Sequence, residues 1–344
     1  LGNTQQIAGI LNLDDDDIIV GSLPIFHAFG ITVTTFLPLI EGVKCVAHPD
    51  PTDGLGLGKL ISKYKATIMC GTSTFYRLYT KNTKVHALMF DSIKLAVAGA
   101  EKLRDDVRAD FKKKFGKDIY EGYGTTETTP VASCNIPNVL ATDDFTVQIG
   151  SKLNTVGMPL PGTKIKITDP ETFEELAIGE EGMILIAGIQ VMKGYLKDES
   201  KTQEVLKVID GQTFYVTGDK GRVDNDGFVT IVDRYSRFAK LGGEMISLGA
   251  IEEKISKLIH KENEETTIDF ILTSLEDAKK GEKIILLVSG ANQEQINILK
   301  EKIINSFENK LMIPSTIHIV EDIPKLGTGK KDFKGARELA KELN

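Results

Sequence analysis

The chain has 344 residues, 42 Lys and Arg against 49 Asp and Glu for a formal charge of −7, 41% hydrophobic residues and three cysteines. That composition excludes global disorder, and at about 150 residues per domain the length implies two or three domains. Acidic and basic residues are interspersed and the balance is negative, which excludes a general nucleic-acid binder and leaves specific binding of a small anion open.

Residues 1–17 end in Asp14 to Asp17 and carry no basic segment, so no signal peptide is expected, and with Leu1 rather than Met at its start the chain reads as a fragment. Residues 18–40 contain no charged side chain, long enough to span a bilayer by length alone. Gly21, Pro24, Gly30 and Pro38 interrupt the run, which reads instead as a buried strand, Ile18 to Leu23, and a core helix, Phe26 to Leu37.

Strand-like runs follow at Gly42 to His48, Ala66 to Cys70, Ile93 to Ala98 and Ile119 to Tyr123, alternating with helical patterns over 56–65, 74–80 and 101–115. This alternation predicts an α/β layer with a mostly parallel sheet. From 150 to 233, short strands punctuated by Gly, Pro and Asp predict a small β subdomain: Thr163 to Thr168, Gly182 to Ala187, Phe214 to Val216 and Phe228 to Val232. Beyond Asp233, helical spacing at Ile251, Ile255, Leu258 and Ile259, strands at Thr267 to Thr273 and Lys283 to Val288, and a helix through Ile296 to Phe307 predict a compact α+β domain. The expected organisation is an α/β part over 1–149, a β subdomain over 150–233, a hinge over 234–237 and a smaller C-terminal α+β domain over 238–344.

Cys45, Cys70 and Cys134 are far apart, and the five histidines show no metal spacing, so neither a disulfide framework, a zinc site nor a transition-metal enzyme is indicated. Sites in α/β sheets lie beyond the carboxyl ends of strands, which directs attention to three loops. Gly122-Tyr123-Gly124-Thr125-Thr126-Glu127 offers backbone donors to a phosphate and a carboxylate to a hard cation such as Mg²⁺, or is simply a turn with Glu127 in a first helical turn. Gly99-Ala100-Glu101 would let a flat ring approach the backbone, or is a plain strand-to-helix turn. Asp219, after Thr217-Gly218 at an expected strand end, could accept from a vicinal diol, or close a hairpin. Arg234 and Arg237 read as linker charges. The loop Pro324 to Lys330 could carry a long cation into a pocket or lie solvated, but it misses the Walker A pattern, as Pro324 and Lys331 stand where Gly and Ser or Thr are needed. Gly54 to Gly58 misses G-x-G-x-x-G and reads as a loop.

These segments, with Pro24 to Gly30 around His27, occur in the order and approximate spacing of acyl-adenylate-forming ligases, which the whole chain resembles. Within that superfamily, Gly71 to Phe75, Val97 to Leu103 and Arg237 to Leu248 are most similar to the acyl-[acyl-carrier-protein] synthetase modules of bifunctional acyltransferases. The resemblance implies activation of a fatty acid with ATP and Mg²⁺ to acyl-AMP, then transfer to a thiol of acyl carrier protein or, as the alternative, coenzyme A. It implies that Lys330 acts in adenylation, that Glu127 binds Mg²⁺, and that Thr126 touches the phosphate. It further implies that Gly99, Ala100, Glu101, Gly122, Tyr123, Gly124, Thr125, Asp219 and Arg234 hold the nucleotide, and that His27, Gly71, Thr72 and Ser73 border the acyl chain. Gly242, Gly243 and Glu244 correspond to the thiol channel and Arg237 to the hinge, although Asp or Lys is commoner there in the superfamily. Lys240, Lys254 and Lys257 are the candidate docking residues for a carrier protein. An upstream acyltransferase domain is a further implied partner, and the expected location is cytoplasmic, at the inner membrane face in the full-length protein. A non-catalytic adenylate- or acyl-binding module is the competing reading.

The family's Ser/Thr/Gly-rich phosphate loop is expected just before Leu1. The chain alone is therefore expected not to release pyrophosphate from ATP and palmitate at an appreciable rate; release at the rate of a full-length enzyme would refute this.

Overall fold

The computed structural model describes residues 1–260, 268–277, 281–326 and 331–344. The chain divides into two units, Leu1–Val232 and Asp233–Asn344.

In the first unit α1 (Gly2–Leu11) and β1 (Ile18–Gly21) lead into α2 (Ala28–Ile31), a π-helical turn over Thr32–Phe36 and α3 (Leu37–Glu41). There follow β2 (Lys44–Ala47), α4 (Gly54–Tyr64), β3 (Ile68–Gly71), α5 (Ser73–Lys81), β4 (Leu95–Ala98), α6 (Asp105–Phe115), β5 (Ile119–Gly124) and β6 (Val131–Cys134). A small hairpin, β7 (Val139–Leu140) and β8 (Val147–Gln148), precedes β9 (Met158–Pro159). Strands β1 to β5 are parallel in the order β2-β1-β3-β4-β5, and β6 and β9 extend the sheet antiparallel. A second sheet is built from β10 (Lys164–Thr168), β11 (Gly182–Ala187), β12 (Leu206–Ile209) after α7 (Glu199–Val205), β13 (Gln212–Val223) and β14 (Val229–Arg234). Its order is β10-β11-β13-β12, with β14 also on β13.

The residues account for these elements. β3 and β4 are buried along their whole length, as strands of a sheet covered on both faces must be. α6 opens on Asp105 and Asp106 and closes on Lys112 to Lys114, opposing the helix dipole at both ends, and stops at Gly116 in the left-handed region (φ 70°). Its Phe111 and Phe115 pack on Tyr76 of α5 and on Phe90, with ring centroids 5.0 Å apart for Tyr76–Phe111 and 4.3 Å for Phe90–Phe115. The buried Tyr76 hydroxyl donates to the Val97 carbonyl at 2.9 Å, so this phenol is not stranded in the core.

The register levels the strand ends. Gly71 pairs with Ala98, and Ala98 with Glu121, so the loops after β3, β4 and β5 leave from one edge of the sheet.

Several expectations are corrected. Residues 26–37 do not form one helix: the hydroxyls of Thr34 and Thr35 both donate to the Gly30 carbonyl, at 2.9 and 3.3 Å, and the turn widens to π geometry. The stretch Gly54 to Gly58 opens α4 rather than a loop, because Asp53 caps it by accepting from Gly56 N at 2.9 Å. α6 begins at Asp105, not 101, since Arg104 before it is extended (φ −78°, ψ 141°). Thr217-Gly218-Asp219 lies inside the long β13, where Gly218 (φ 75°) accompanies a register shift opposite Met183/Leu185, a bulge rather than a strand end. Among the described residues no helix is long and apolar enough to cross a membrane.

The second unit comprises β15 (Phe238–Leu241), β16 (Glu244–Ser247), α8 (Leu248–His260), β17 (Asp269–Asp277), β18 (Gly281–Ser289), α9 (Gln293–Ser306), β19 (Thr316–Ile319) and α10 (Phe333–Leu343). The sheet order is β16-β15-β18-β17, with β19 parallel on β18. Alternation along β18 splits the core: Ile284, Leu286 and Val288 face α8 and α9, while Ile285 and Leu287 face Ala336 and Ala340 of α10. The α/β class, with a large N-terminal domain of parallel and β parts and a smaller C-terminal α+β domain, is that indicated by the sequence.

Arg237 is no surface linker charge. It is buried, its Nη2 lies 2.8 Å from Glu252 Oε2 on α8, and its guanidinium stacks 3.9 Å from the centroid of Phe333 on α10. Removing one partner of a buried ion pair leaves the other uncompensated. Arg237→Ala is therefore expected to destabilise this unit by about 3–5 kcal/mol in denaturant titrations; a loss near zero would contradict the packing role.

Candidate functional site

The site in the first unit is built from the strand ends that the register aligns. Gly99 N donates to the Gly71 carbonyl at 3.1 Å, and Glu101 Oε1 accepts from Thr74 N at 2.6 Å, joining the loop after β4 to the start of α5. Thr72 caps α5 by accepting from Phe75 N, and Ser73, buried, accepts from Arg104 N at 3.2 Å. Two of the residues assigned to the acyl chain thus also hold backbone in place. Gly99 faces the Phe29 ring, where a Cβ would stand 3.1 Å from a ring carbon, and Ala100 is held in the left-handed region that favours glycine. His27 caps α2, its Nδ1 accepting from Phe29 N at 3.2 Å.

Glu121, the last residue of β5 to pair with β4, fixes the adjoining loops. It is buried, its Oε2 is 2.6 Å from Arg108 Nη2, and its Oε1 accepts from Leu103 N at 2.9 Å. Burial pushes its carboxyl above the ordinary range despite the Arg108 charge and these hydrogen bonds. The glycine-rich loop begins at the next residue. Gly124 is required there by close approach, since a Cβ would meet the Pro130 carbonyl oxygen at 1.8 Å. Thr125 N donates to Thr128 Oγ1 at 3.0 Å, which closes the short helical turn Thr126–Thr128, with Thr126 exposed.

Two carboxylates, Asp219 on β13 and Glu127 on this loop itself, accept from tyrosine hydroxyls. The Tyr123 hydroxyl donates to Asp219 Oδ2 at 2.5 Å, and Asp219, buried on β13, is itself set by the bulge, with Asp219 N donating to Thr217 Oγ1 at 3.0 Å. Burial and the Asp219 charge push the Tyr123 phenol far up, so it stays a donor at physiological pH. Glu127 Oε1 accepts from the Tyr195 hydroxyl at 2.6 Å, and its carbonyl accepts from Met192 N at 2.7 Å. Burial raises the Glu127 carboxyl, but hydrogen bonding, first of all from Tyr195, outweighs it, and the net pKa lies below the usual value. The Tyr195 phenol is pushed up to about 12 by burial and by Glu127.

Tyr195, Tyr215 and the Arg108–Glu121 pair escape a sequence reading. The only local signal for Tyr195 is Gly194 beside it, and nothing in the chain links either to Glu127, 68 residues away.

Among the described residues no group of three or more His, Cys, Asp and Glu could cage a metal. The donor set instead fits a cation held by one ionised carboxylate and completed by substrate phosphates and water, the usual habit of Mg²⁺.

In the second unit, Asp233 Oδ2 accepts from Ser247 Oγ at 2.6 Å and Gly249 N at 2.9 Å, anchoring the start of α8 next to Arg234. Gly242 (φ 58°) and Gly243 (φ 92°) form a tight hairpin turn between β15 and β16, with Glu244 opposite Leu241. Lys330 lies outside the described residues. On either side of that stretch, Lys325 Nζ lies 2.9 Å and Lys331 Nζ 3.6 Å from the Asp269 carboxylate, and Lys331 also donates to the Phe270 carbonyl. Of the three candidate docking lysines, Lys257 is paired with Glu253 at 2.9 Å and Lys254 lies over the Phe307 ring.

Residues 2–196 match the family model of the AMP-binding enzymes. The chain belongs to that family. This AMP-binding enzyme is similar to the long-chain-fatty-acid–CoA ligase of Salmonella typhimurium, 29% identical over 336 residues covering 96% of this chain and 56% of that protein. It is also similar to the probable 4-coumarate–CoA ligase 2 of Dictyostelium discoideum, 34% identical over 256 residues covering 73% of this chain and 44% of that protein. The crystal structure of ATP-bound MatB from Rhodopseudomonas palustris superposes with a TM-score of 0.83 at 25% identity, covering 99% of this chain and 63% of that one. The chain thus spans between 44% and 63% of the length of these relatives.

Tyr123→Phe in this AMP-binding enzyme leaves the buried Asp219 without its phenol. A loss of about 1.5–3 kcal/mol is expected in denaturant unfolding, the range for a hydrogen bond to a charged group; unchanged stability would show that Asp219 does not depend on Tyr123.

Proposed function

We propose that this chain is part of an AMP-forming ligase that activates a fatty acid. A carboxylate oxygen attacks the α-phosphorus of ATP, releasing pyrophosphate and leaving acyl-AMP; a thiol sulfur then attacks the acyl carbonyl and AMP departs. The observation that carries this reading is the pairing of Tyr123 with the buried Asp219 across two sheets, beside the Glu127 loop. A carboxylate can accept several hydrogen bonds at once, which suits a buried Asp219 to receive a ribose diol while the Tyr123 ring borders the base. Gly99 to Glu101 would flank the adenine, and Thr125 and Thr126 the phosphate.

Both steps join poor reactants, a weak nucleophile to a shielded phosphorus and then a thiol to a crowded carbonyl, so positioning and charge neutralisation carry the catalysis. Mg²⁺, when bound at Glu127, would offset the charge of the phosphates. Lys330 would neutralise the developing charge in the first step. Arg234 would approach the ribose, and His27, Gly71, Thr72 and Ser73 would border the alkyl chain. Arg237, within the hinge 234–237, would be the hinge residue, and the Gly242-Gly243-Glu244 turn would serve the thiol step. The acceptor carries a phosphopantetheine thiol. The likeness around Arg237 to Leu248 supports acyl carrier protein, whereas the names of the relatives and the engagement of Lys254 and Lys257 within their own unit support coenzyme A.

Calorimetry with AMP tests the nucleotide site: Asp219→Ala is expected to weaken binding at least about ten-fold, equivalent to about 1.4 kcal/mol. AMP binding that ignores Asp219 would defeat the proposal. Supplying palmitoyl-adenylate with coenzyme A or holo acyl carrier protein, and weighing the thioester formed, distinguishes the acceptors. Binding of AMP with neither thioester would leave a binding module.

A further inference from the structure

We infer that Tyr195 is a positioning residue, aiming the Glu127 carboxylate at the divalent cation that accompanies a nucleotide phosphate. This rests on the reading of Glu127 as the cation's ligand.

Glu127 sits on a helical turn of only three residues, which by itself sets little of the direction of a side chain with three rotatable bonds. The direction is supplied from outside. The loop after β11 clamps the glycine-rich loop at three points: Tyr195 hydroxyl to Glu127 Oε1 at 2.6 Å, Met192 N to the Glu127 carbonyl at 2.7 Å, and Thr129 Oγ1 to the Gln190 carbonyl at 2.9 Å. Of these, only the first touches the carboxylate.

Tyr195 is in turn held by the start of α7. Its backbone N donates to Thr202 Oγ1 at 2.8 Å, that hydroxyl donates to the Asp198 carbonyl at 2.8 Å, and Asp198 caps α7. Lys201 Nζ lies 4.6 Å from the centroid of the tyrosine ring. At Gly194 a Cβ would stand 2.8 Å from Thr202 Cγ2, so the backbone can pass here only without a side chain. A stiff aromatic with two rotatable bonds thus transmits the placement of α7 to the carboxylate. Mg²⁺ demands near-ideal octahedral geometry, and groups that orient its ligands control its affinity. The phenol is only half-buried, so its main contribution is not core packing.

The test uses Mn²⁺ as the cation and compares binding of ATP to the chain with and without it, by calorimetry and by the electron paramagnetic resonance of bound Mn²⁺. Tyr195→Phe is expected to weaken Mn²⁺-dependent ATP binding about ten-fold and broaden the Mn²⁺ spectrum, with metal-free ATP binding unchanged. Thr202→Val, which loosens the same tyrosine without altering its chemistry, is expected to act in the same direction more weakly, and serves if Tyr195→Phe does not fold. Equal loss with and without metal, or no loss in either variant, overturns the inference. Glu127→Gln separates the two levels: if it abolishes the metal-dependent increment while the Tyr195 and Thr202 variants do not, only the positioning role fails. If Glu127→Gln changes nothing, or the unmodified chain shows no metal-dependent increment, the reading of Glu127 fails and the inference with it.

Discussion

The Glu121 carboxylate is the point on which the first unit turns. It lies within an interior strand, and burying a charge costs several kcal/mol unless it is paired and hydrogen-bonded. Arg108 supplies the pair and Leu103 N a further bond, so one side chain gathers β5, α6 and the segment running from Gly99. The glycine-rich loop starts one residue later, and every distance within it is measured from that fixed end. Arg108 also donates to the Ile119 carbonyl at 3.0 Å, so the guanidinium holds the first and third residues of β5.

From this origin the loop is held by elements distant in sequence. Asn3 on α1 pairs with both the N and O of Val131, at 3.0 and 2.7 Å, Gln190 meets Thr129, and Tyr123 crosses to β13. In the polar cluster of Asn3, Gln6, Thr163 and Gln190 all but the part-buried Thr163 are buried, and each member finds a hydrogen-bond partner, the condition under which such networks rigidify rather than weaken a core. A loop of glycines and threonines, flexible by composition, is thereby made stiff by context.

Much of the architecture was legible because burial writes itself into local pattern: β11 appears as an unbroken apolar run, and α6 carries its charges at the correct ends. The register that levels Gly71, Ala98 and Glu121 is implicit in parallel pairing, and it sets the loops read from the strand ends side by side. Other features could not be read. The bulge at Gly218 arises from the partner strand, the turn at Thr32–Phe36 from two hydroxyls competing for one carbonyl, and the burial of Arg237 from α8 and α10, which approach it only in three dimensions. Tyr195 illustrates the limit most directly, since a tyrosine next to a glycine is unremarkable until a carboxylate from far up the chain arrives beside it.

The wide turn at Thr32–Phe36 carries one residue more than an α-helix would fit into the same rise. Deleting a single residue there would let the segment close into regular α geometry and leave α3 and β2 in register, whereas a deletion one turn earlier or later would swing every following side chain by about 100°. This short stretch is thus the place between β1 and β2 where the gene can shorten without rephasing the sheet.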